Sequence, residues 1–241
     1  MSQQGIRLNK YLAMCGVCSR RDADRIIDTG KVRINGQPAT MGMRVVDGDV
    51  VEVNGKRIQG QSDKIVLAFY KPVGVVCTER DKYADKTILE YIKYPIRVTY
   101  AGRLDKESEG LIILTNDGDL IEHMMRGANH HEKEYIVKVN KEITDDFVNA
   151  MQSGIYLEEL QKMTRECEVE KLGKYTFRIV LTQGMNRQIR RMCKTQGQEV
   201  VSLKRVRVMN ITLDKLKVGE YRELTGDEKK QLYMLAGLGK E

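Results

Sequence analysis

The sequence predicts an α+β fold in two parts: a small helix-then-sheet unit with its linker over residues 1–62, and a larger domain over residues 63–241 built on a mixed, largely antiparallel sheet. Three observations predict it. The first sixty residues carry helical periodicity and then short alternating strands. The remainder mixes strand-like runs with isolated helices and lacks the βαβ rhythm of a parallel sheet. A length of 241 residues accommodates two cores.

The elements follow in order. Leu8, Tyr11 and Leu12 recur at helical spacing, and Ser19-Arg20-Arg21-Asp22 reads as a capping box for a second helix with Ala23, Ile26 and Ile27 inward and Gly30 as its stop. Val32 and Ile34 alternate with Lys31 and Arg33 before the Asn35-Gly36 turn, and Val50, Val51 and Val53 follow Asp47-Gly48-Asp49. The polar, glycine-containing run Asn54 to Asp63 reads as a linker. Ile65 to Tyr70 is a strand ending at Lys71-Pro72-Val73-Gly74, where proline stops sheet pairing.

Farther along, Ile96 to Ala101 is an extended run, and Gly110 to Thr115 is a buried strand closed by Asn116-Asp117-Gly118. His131 to Val139 is a charged turn entering a strand, with Tyr135 and Val137 on one face and Ile136 on the other. Thr144 caps a helix reaching Met151, and Glu166–Glu170 pairs with Tyr175–Leu181 through Gly173-Lys174. Gly184 to Met192 opens a helical segment with Arg187, Arg190 and Arg191 at one-turn spacing, Leu203 to Val208 is a strand, and Gly226 to Glu241 is expected to end the chain as a helix.

Composition points to a polyanion. Lys plus Arg total 41 against 34 Asp plus Glu, a formal charge of +7, which favours phosphate neutralisation. From Gly184 to Asn210 seven basic residues stand against one acid, Glu199, so 7 − 1 leaves +6 in one stretch. Five cysteines, an odd number, argue against a disulfide framework, and the Cys15-x-x-Cys18 pair lacks the second pair or histidines that a structural zinc requires. No Ser-His-Asp or zinc-deaminase pattern is present. No apolar run approaches the roughly 20 residues of a membrane span, and the N-terminus is polar, so a cytoplasmic protein is expected.

The most informative stretch is Gly102-Arg103-Leu104-Asp105, which sets a carboxylate at the end of an extended run, held in place. Turn chemistry alone makes it a solvated turn acid. With Gly184-Met185-Asn186-Arg187-Gln188-Ile189-Arg190-Arg191-Met192 it resembles the catalytic motifs of RNA pseudouridine synthases, in the branch of RsuA, RluB and RluF. The Asn129 to Val137 run and Asn186-Arg187 resemble the RluF type most, and Lys71-Pro72-Val73-Gly74-Val75 matches the start of that family's catalytic domain. Arg7-Leu8-Asn9-Lys10-Tyr11, Ser19-Arg20-Arg21 and Gly30 to Gly36, in that order, resemble the S4 RNA-binding domain.

The resemblance implies an α+β catalytic fold, Asp105 as the essential residue, Arg190 as its ion-pair partner, and Tyr135 as the active-site tyrosine. Arg190 would keep Asp105 ionised where burial would otherwise protonate it. The implied reaction isomerises uridine to pseudouridine in ribosomal RNA, of the large subunit (23S), by a monomer, with transfer RNA a second substrate class. It involves neither redox change nor net hydrolysis, so no cofactor is expected. The carboxylate could act as a nucleophile or remove a sugar proton; both routes stand. Lys10, Arg20, Arg21, Arg25, Lys31 and Arg33 would meet phosphates on structured RNA. Arg103 would fill the space of a flipped nucleotide or hold a phosphate, Arg187 and Arg191 would contact phosphates, and Lys204 and Arg205 would line the RNA path. The competing readings are a non-catalytic S4-containing RNA-binding or ribosome-assembly protein, and a general nucleic-acid binder or nuclease, which lacks the clustered carboxylates of two-metal chemistry.

Overall fold

A computed structural model describes residues 5–60, 63–78, 87–126 and 130–239. Gln61 and Ser62 of the expected linker, Asn129, and the last two residues of the expected C-terminal helix lie outside the described residues. The chain divides into two compact units, Met1–Ile65 with Tyr94–Val98 and Asn116–Gly118, and Val66–Lys93 with Thr99–Thr115 and Asp119–Glu241.

In the first unit helices Leu8–Met14 and Arg20–Asp28 lay Leu8, Leu12, Ala23 and Ile27 against a small sheet through Val32, Val51 and Val53. Ser19 caps the second helix by accepting from the Asp22 amide at 3.2 Å, and its hydroxyl donates to the Asp22 carboxylate at 3.0 Å. Gly30, at φ +70°, lets the chain leave the helix. The sheet order is Gln37–Pro38, Val32–Ile34, Val51–Val53, Lys56–Arg57, all antiparallel.

Here the linker reading is corrected. Asn54 and Gly55 take φ +50° and +75°, the same pair of left-handed residues as Asn35 and Gly36 at +51° and +78°. Each pair closes a tight hairpin whose twist matches its strands. Lys56–Arg57 is therefore an edge strand, and Ile58 still bonds back to the Val51 carbonyl at 2.8 Å.

The second unit is organised by a sheet ordered Glu168–Gly173, Thr176–Leu181, Lys133–Val139, Val200–Val208, Glu109–Thr115, Val66–Lys71, Tyr221–Glu223. Thr99–Ala101 adds to Glu109–Thr115 and Ile211–Thr212 to Val200–Val208. Only the join between Val200–Val208 and Glu109–Thr115 is parallel among these pairings, so the sheet is mixed and largely antiparallel, as expected. Val66–Lys71 is buried at all six positions, and Leu111 to Leu114 are fully buried. Strands that read as unbroken apolar runs are those covered on both faces. Helices Gly118–Met125 and Gly226–Leu235 cover one face, through Leu120, Met124, Leu232 and Ala236.

Registers across four strands align Lys71 with Gly110, Gly110 with Arg205, and Arg205 with Tyr135. Gly110 is what permits this row. It sits at φ +115°, and a Cβ there would lie 2.2 Å from the Arg205 carbonyl oxygen and 2.5 Å from its nitrogen. Both the dihedral and the contact exclude a side chain.

The expected helix from Gly184 is also corrected. The helix spans Gln188–Thr195, and Arg187 precedes it in the left-handed region at φ +51°. Arg187 thus leaves the helical row shared by Arg190 and Arg191. Replacing Gly110 with alanine is predicted to cost about 3 kcal/mol or more, a fall in Tm of roughly 6–12 °C for a domain of this size. A thermal melt of Gly110→Ala superimposable on that of the native protein would refute the close approach.

Candidate active site

The strand Thr99–Ala101 ends at Gly102, φ +87°, and the chain then loops through Arg103 to Ser108 before entering Glu109–Thr115. Backbone groups of this loop are held from several directions. The Gly74 amide donates to the Lys106 carbonyl at 2.8 Å, the Leu104 amide meets the Cys77 sulfur at 3.4 Å, and the Ser108 amide donates to the Asp105 carbonyl at 3.1 Å. Lys71, wholly buried, donates from Nζ to the Ser108 carbonyl at 2.7 Å and the Pro72 carbonyl at 2.9 Å. Burial pulls the Lys71 pKa down, while Cys77 and Asp105 push it up.

Asp105 projects from this pinned loop into a cavity of about 420 Å³ whose lining includes Arg103, Lys133, Tyr135, Arg187, Arg190 and Arg205. Its side chain is 34 % exposed, so it is less buried than the expectation of a desolvated carboxylate implied. Arg187 Nη1 lies 3.9 Å from Asp105 Oδ2 and 2.8 Å from Glu107 Oε2. The hydrogen bond from Arg187 holds the Glu107 carboxyl below its usual value.

The expected ion pair of Asp105 with Arg190 is not the arrangement found. Arg190 donates from Nη2 to the Glu107 carbonyl and the Ser108 hydroxyl, each at 3.2 Å, and from Nη1 to the Val200 carbonyl at 3.3 Å. One turn into the helix, it is committed to the backbone that carries Asp105, whereas left-handed Arg187 points its fork at the carboxylates. Arg187, expected to meet phosphate, is met here by Glu107 and Asp105. Arg191 pairs with Glu159 and donates to the Asn186 carbonyl and side-chain oxygens at 3.1 and 3.2 Å.

Tyr135 is 9 % exposed and lies in the cavity wall, with Leu203 nearby in the same lining. Arg205, expected on an RNA path, is 3 % exposed; its Nε donates to the Leu111 carbonyl at 2.7 Å and its Nη2 is buried with no partner. The parallel register against Gly110 buries it, a constraint that no local pattern announces. Lys204 faces the other way, its ammonium 5.0 Å from the centre of the Tyr70 ring. Arg103 is exposed and lines the cavity.

Two lysines escaped the sequence reading as site residues. Lys71 stood only as part of a motif, and Lys133 was passed over in a charged turn. Lys133 sits two residues before Tyr135 on the same strand face and lines the cavity; period-two alternation from Tyr135 would have found it. Desolvation, aided by the nearby charge of Arg205, lowers the Lys133 pKa to about 8. In the first unit Arg20, Arg21, Arg25, Lys31 and Arg33 are exposed and Lys10 is half-buried. Arg25 pairs with Asp22 at 3.2 Å and Arg33 donates to the Gly36 carbonyl at 2.9 Å.

Arg190→Ala is predicted to cost about 1.5–3 kcal/mol, since charged hydrogen bonds to partly buried acceptors are lost, and to speed hydrogen exchange at the Ser108 and Gly74 amides. Arg187→Ala, at an exposed pair, is predicted to change stability by less than about 1 kcal/mol. Equal melting curves for the two variants would refute this division.

Comparison with known proteins agrees with the geometry. A family model described as RNA pseudouridylate synthase matches residues 65–195, and the S4 domain model matches residues 6–51. The chain is 47 % identical over 237 residues to a dual-specificity RNA pseudouridine synthase RluF of Salmonella typhi, covering 98 % of this chain and 81 % of the relative. It is 35 % identical over 240 residues to the ribosomal large subunit pseudouridine synthase B of Bacillus subtilis, covering 97 % and 98 %. A crystal structure of a pseudouridylate synthase superimposes with a TM-score of 0.70 at 28 % identity, covering 94 % of this chain and 99 % of the other.

Proposed function

The chain belongs to the RNA pseudouridylate synthase family and carries an S4 domain, and on that premise we propose that it isomerises chosen uridines of large-subunit (23S) ribosomal RNA, with Asp105 as the catalytic carboxylate. The observation that carries this reading is Asp105 itself, set on a pinned loop and projecting into a cavity beside Tyr135. The name of the Bacillus subtilis relative supports the large-subunit target, and the dual-specificity name of the RluF relatives supports a second RNA class, which we take to be transfer RNA. The enzyme acts on this reading as a monomer in the cytoplasm, with residues 1–62 supplying affinity through Lys10, Arg20, Arg21, Arg25, Lys31 and Arg33, and residues 63–241 the chemistry.

Isomerisation breaks the N1–C1′ bond, turns the uracil while it is held, and joins C5 to C1′. A hydrogen leaves C5 as a proton and N1 gains one, so the reaction is balanced without a cofactor. C1′ and C5 are out of reach in a stacked helix, so the nucleotide is flipped into the cavity, whose roughly 420 Å³ lies in the range of small-molecule sites. Tyr135 offers its ring to the uracil face. Asp105 attacks the sugar or the base, or takes a sugar proton, with the Arg187 guanidinium 3.9 Å from its carboxylate. Arg190 acts through the loop backbone, and Arg103, exposed at the cavity, fills the space of the flipped nucleotide or holds a phosphate. The non-catalytic reading leaves the convergence of Asp105, Tyr135 and a ring of cations on one cavity without a purpose.

With large-subunit RNA tritiated at C5 of uridine, the native protein should release tritium and Asp105→Asn should release none above background. Release by both proteins would remove Asp105 from the chemistry, and release by neither would remove the ribosomal RNA assignment.

A further inference from the structure

The cavity is lopsided in charge. Among its described lining residues Asp105 is the one carboxylate, against Arg103, Lys106, Lys133, Arg187, Arg190 and Arg205, so 6 − 1 leaves +5. Two of these cations have evident work, and Arg103 and Lys106 are exposed. Arg187 meets Glu107 and Asp105, and Arg190 holds the loop backbone. Lys133 stands apart. Its ammonium contacts one backbone acceptor, the His131 carbonyl at 3.2 Å. Its chain neighbours Glu132 and Glu134 are engaged elsewhere, both by Arg207 at 3.0 and 2.9 Å and Glu134 also by Arg178 at 3.1 Å. Close enough to act on it electrostatically is Arg205, opposite Tyr135 on the adjacent strand, more than nine-tenths buried and with Nη2 unpartnered.

Two cations withdrawn from water without a counter-ion are costly, and burial with like-charge proximity lowers the proton affinity of the one that can lose its proton. Such an arrangement is preorganised for negative charge arriving with the substrate. In this reaction the charge arrives on the base. As the N1–C1′ bond breaks, by either route open to Asp105, its electron pair leaves with N1 and spreads onto the uracil carbonyl oxygens. Lys133 and Tyr135 are two residues apart on one strand face, roughly 6.6 Å along the strand, a separation that a pyrimidine ring with a carbonyl oxygen and one hydrogen bond can span. A uracil against Tyr135 brings its rim to Lys133.

We propose that Lys133 is a further catalytic residue of the isomerisation, its ammonium donating a hydrogen bond to a carbonyl oxygen of the flipped uracil and stabilising the negative charge the base acquires when it separates from C1′. The proposal rests on the reading of the chain as a pseudouridine synthase acting at Asp105. No proton is consumed in this role. The ammonium is the working form, so catalysis is present below the Lys133 pKa and falls as pH rises through about 8. Arg205 on the neighbouring strand and His131 on its own segment interact with it directly, and the charged and titratable groups that share its cavity are Tyr135 on its own strand, Cys77, Asp105, Arg103 and Lys106 from the loops, and Arg187 and Arg190 at the helix start. His131, held low by burial, loses its charge below this range.

The test compares native protein, Lys133→Gln and Lys133→Arg on C5-tritiated 23S RNA in single turnover at saturating protein, with RNA Kd and Tm measured alongside. Lys133→Gln should slow turnover about 100-fold with Kd within about threefold of native, since a base contact adds little to a phosphate-dominated affinity. Lys133→Arg should keep a substantial part of the rate and lose the alkaline fall near pH 8. A Lys133→Gln rate close to native overturns the proposal, and so does a loss confined to Kd, which would make Lys133 a phosphate contact. Lys133→Arg as slow as Lys133→Gln, or a native profile flat across pH 8, overturns it as well, and these two hold even if Lys133→Gln fails to fold. Native protein releasing no tritium ends the ribosomal RNA reading and the proposal together, an outcome distinct from active native protein with an equally active Lys133→Gln.

Discussion

The position of Asp105 depends on a buried cation. Lys71 ends a strand buried at every position, and its ammonium reaches under the 103–108 loop to hold the Ser108 carbonyl while closing on Pro72. Taking a lysine wholly out of water is costly, and two carbonyl acceptors with the nearby Asp105 charge offset much of it. The arrangement makes a loop behave like an extension of the sheet. Arg190 grips Glu107 and Ser108 of the same loop from the helix side, so the backbone beneath the carboxylate is held from two elements far apart in sequence.

Gly110 connects that loop to the rest of the cavity. It is the second residue of the strand that follows the loop, pairs with Lys71 on one side and Arg205 on the other, and has no room for a side chain against the Arg205 backbone. Register continues from Arg205 to Tyr135. One line of strand pairing therefore carries a buried lysine, a buried arginine and the wall tyrosine, and the loop bearing Asp105 is hung from its middle. Sites placed on rigid elements in this way hold geometry better than sites on free loops.

The electrostatic consequence is a cavity with an excess of positive charge around the one carboxylate among its described lining residues. Arg187 lies 3.9 Å from Asp105 yet makes its shorter contact, 2.8 Å, with Glu107. Asp105 is thus not locked in a tight pair, and its one-third exposure leaves the oxygen accessible. A flipped nucleotide entering this space would displace water from the same groups and strengthen each interaction within it.

Much of this was legible in the chain itself, wherever the governing physics is local. Two helices, the Asn35-Gly36 turn, the Thr144 cap and the unbroken apolar strands follow from periodicity, capping and left-handed turn residues, and the Asp105 loop and Tyr135 strand were recognisable from short motifs. The Asn54-Gly55 hairpin was available by the same rule and was overlooked because its strands are short and polar. What only the tertiary structure decided is which charges meet. A left-handed residue at position 187 turns that arginine, rather than Arg190, toward Asp105, and the pairing of residues from 39 to 95 positions apart buries Arg205 beside Gly110 and sets Lys133 at the cavity wall. Register between distant strands is a property of the assembled sheet, set by how all the strands pack at once, and no window of sequence contains it.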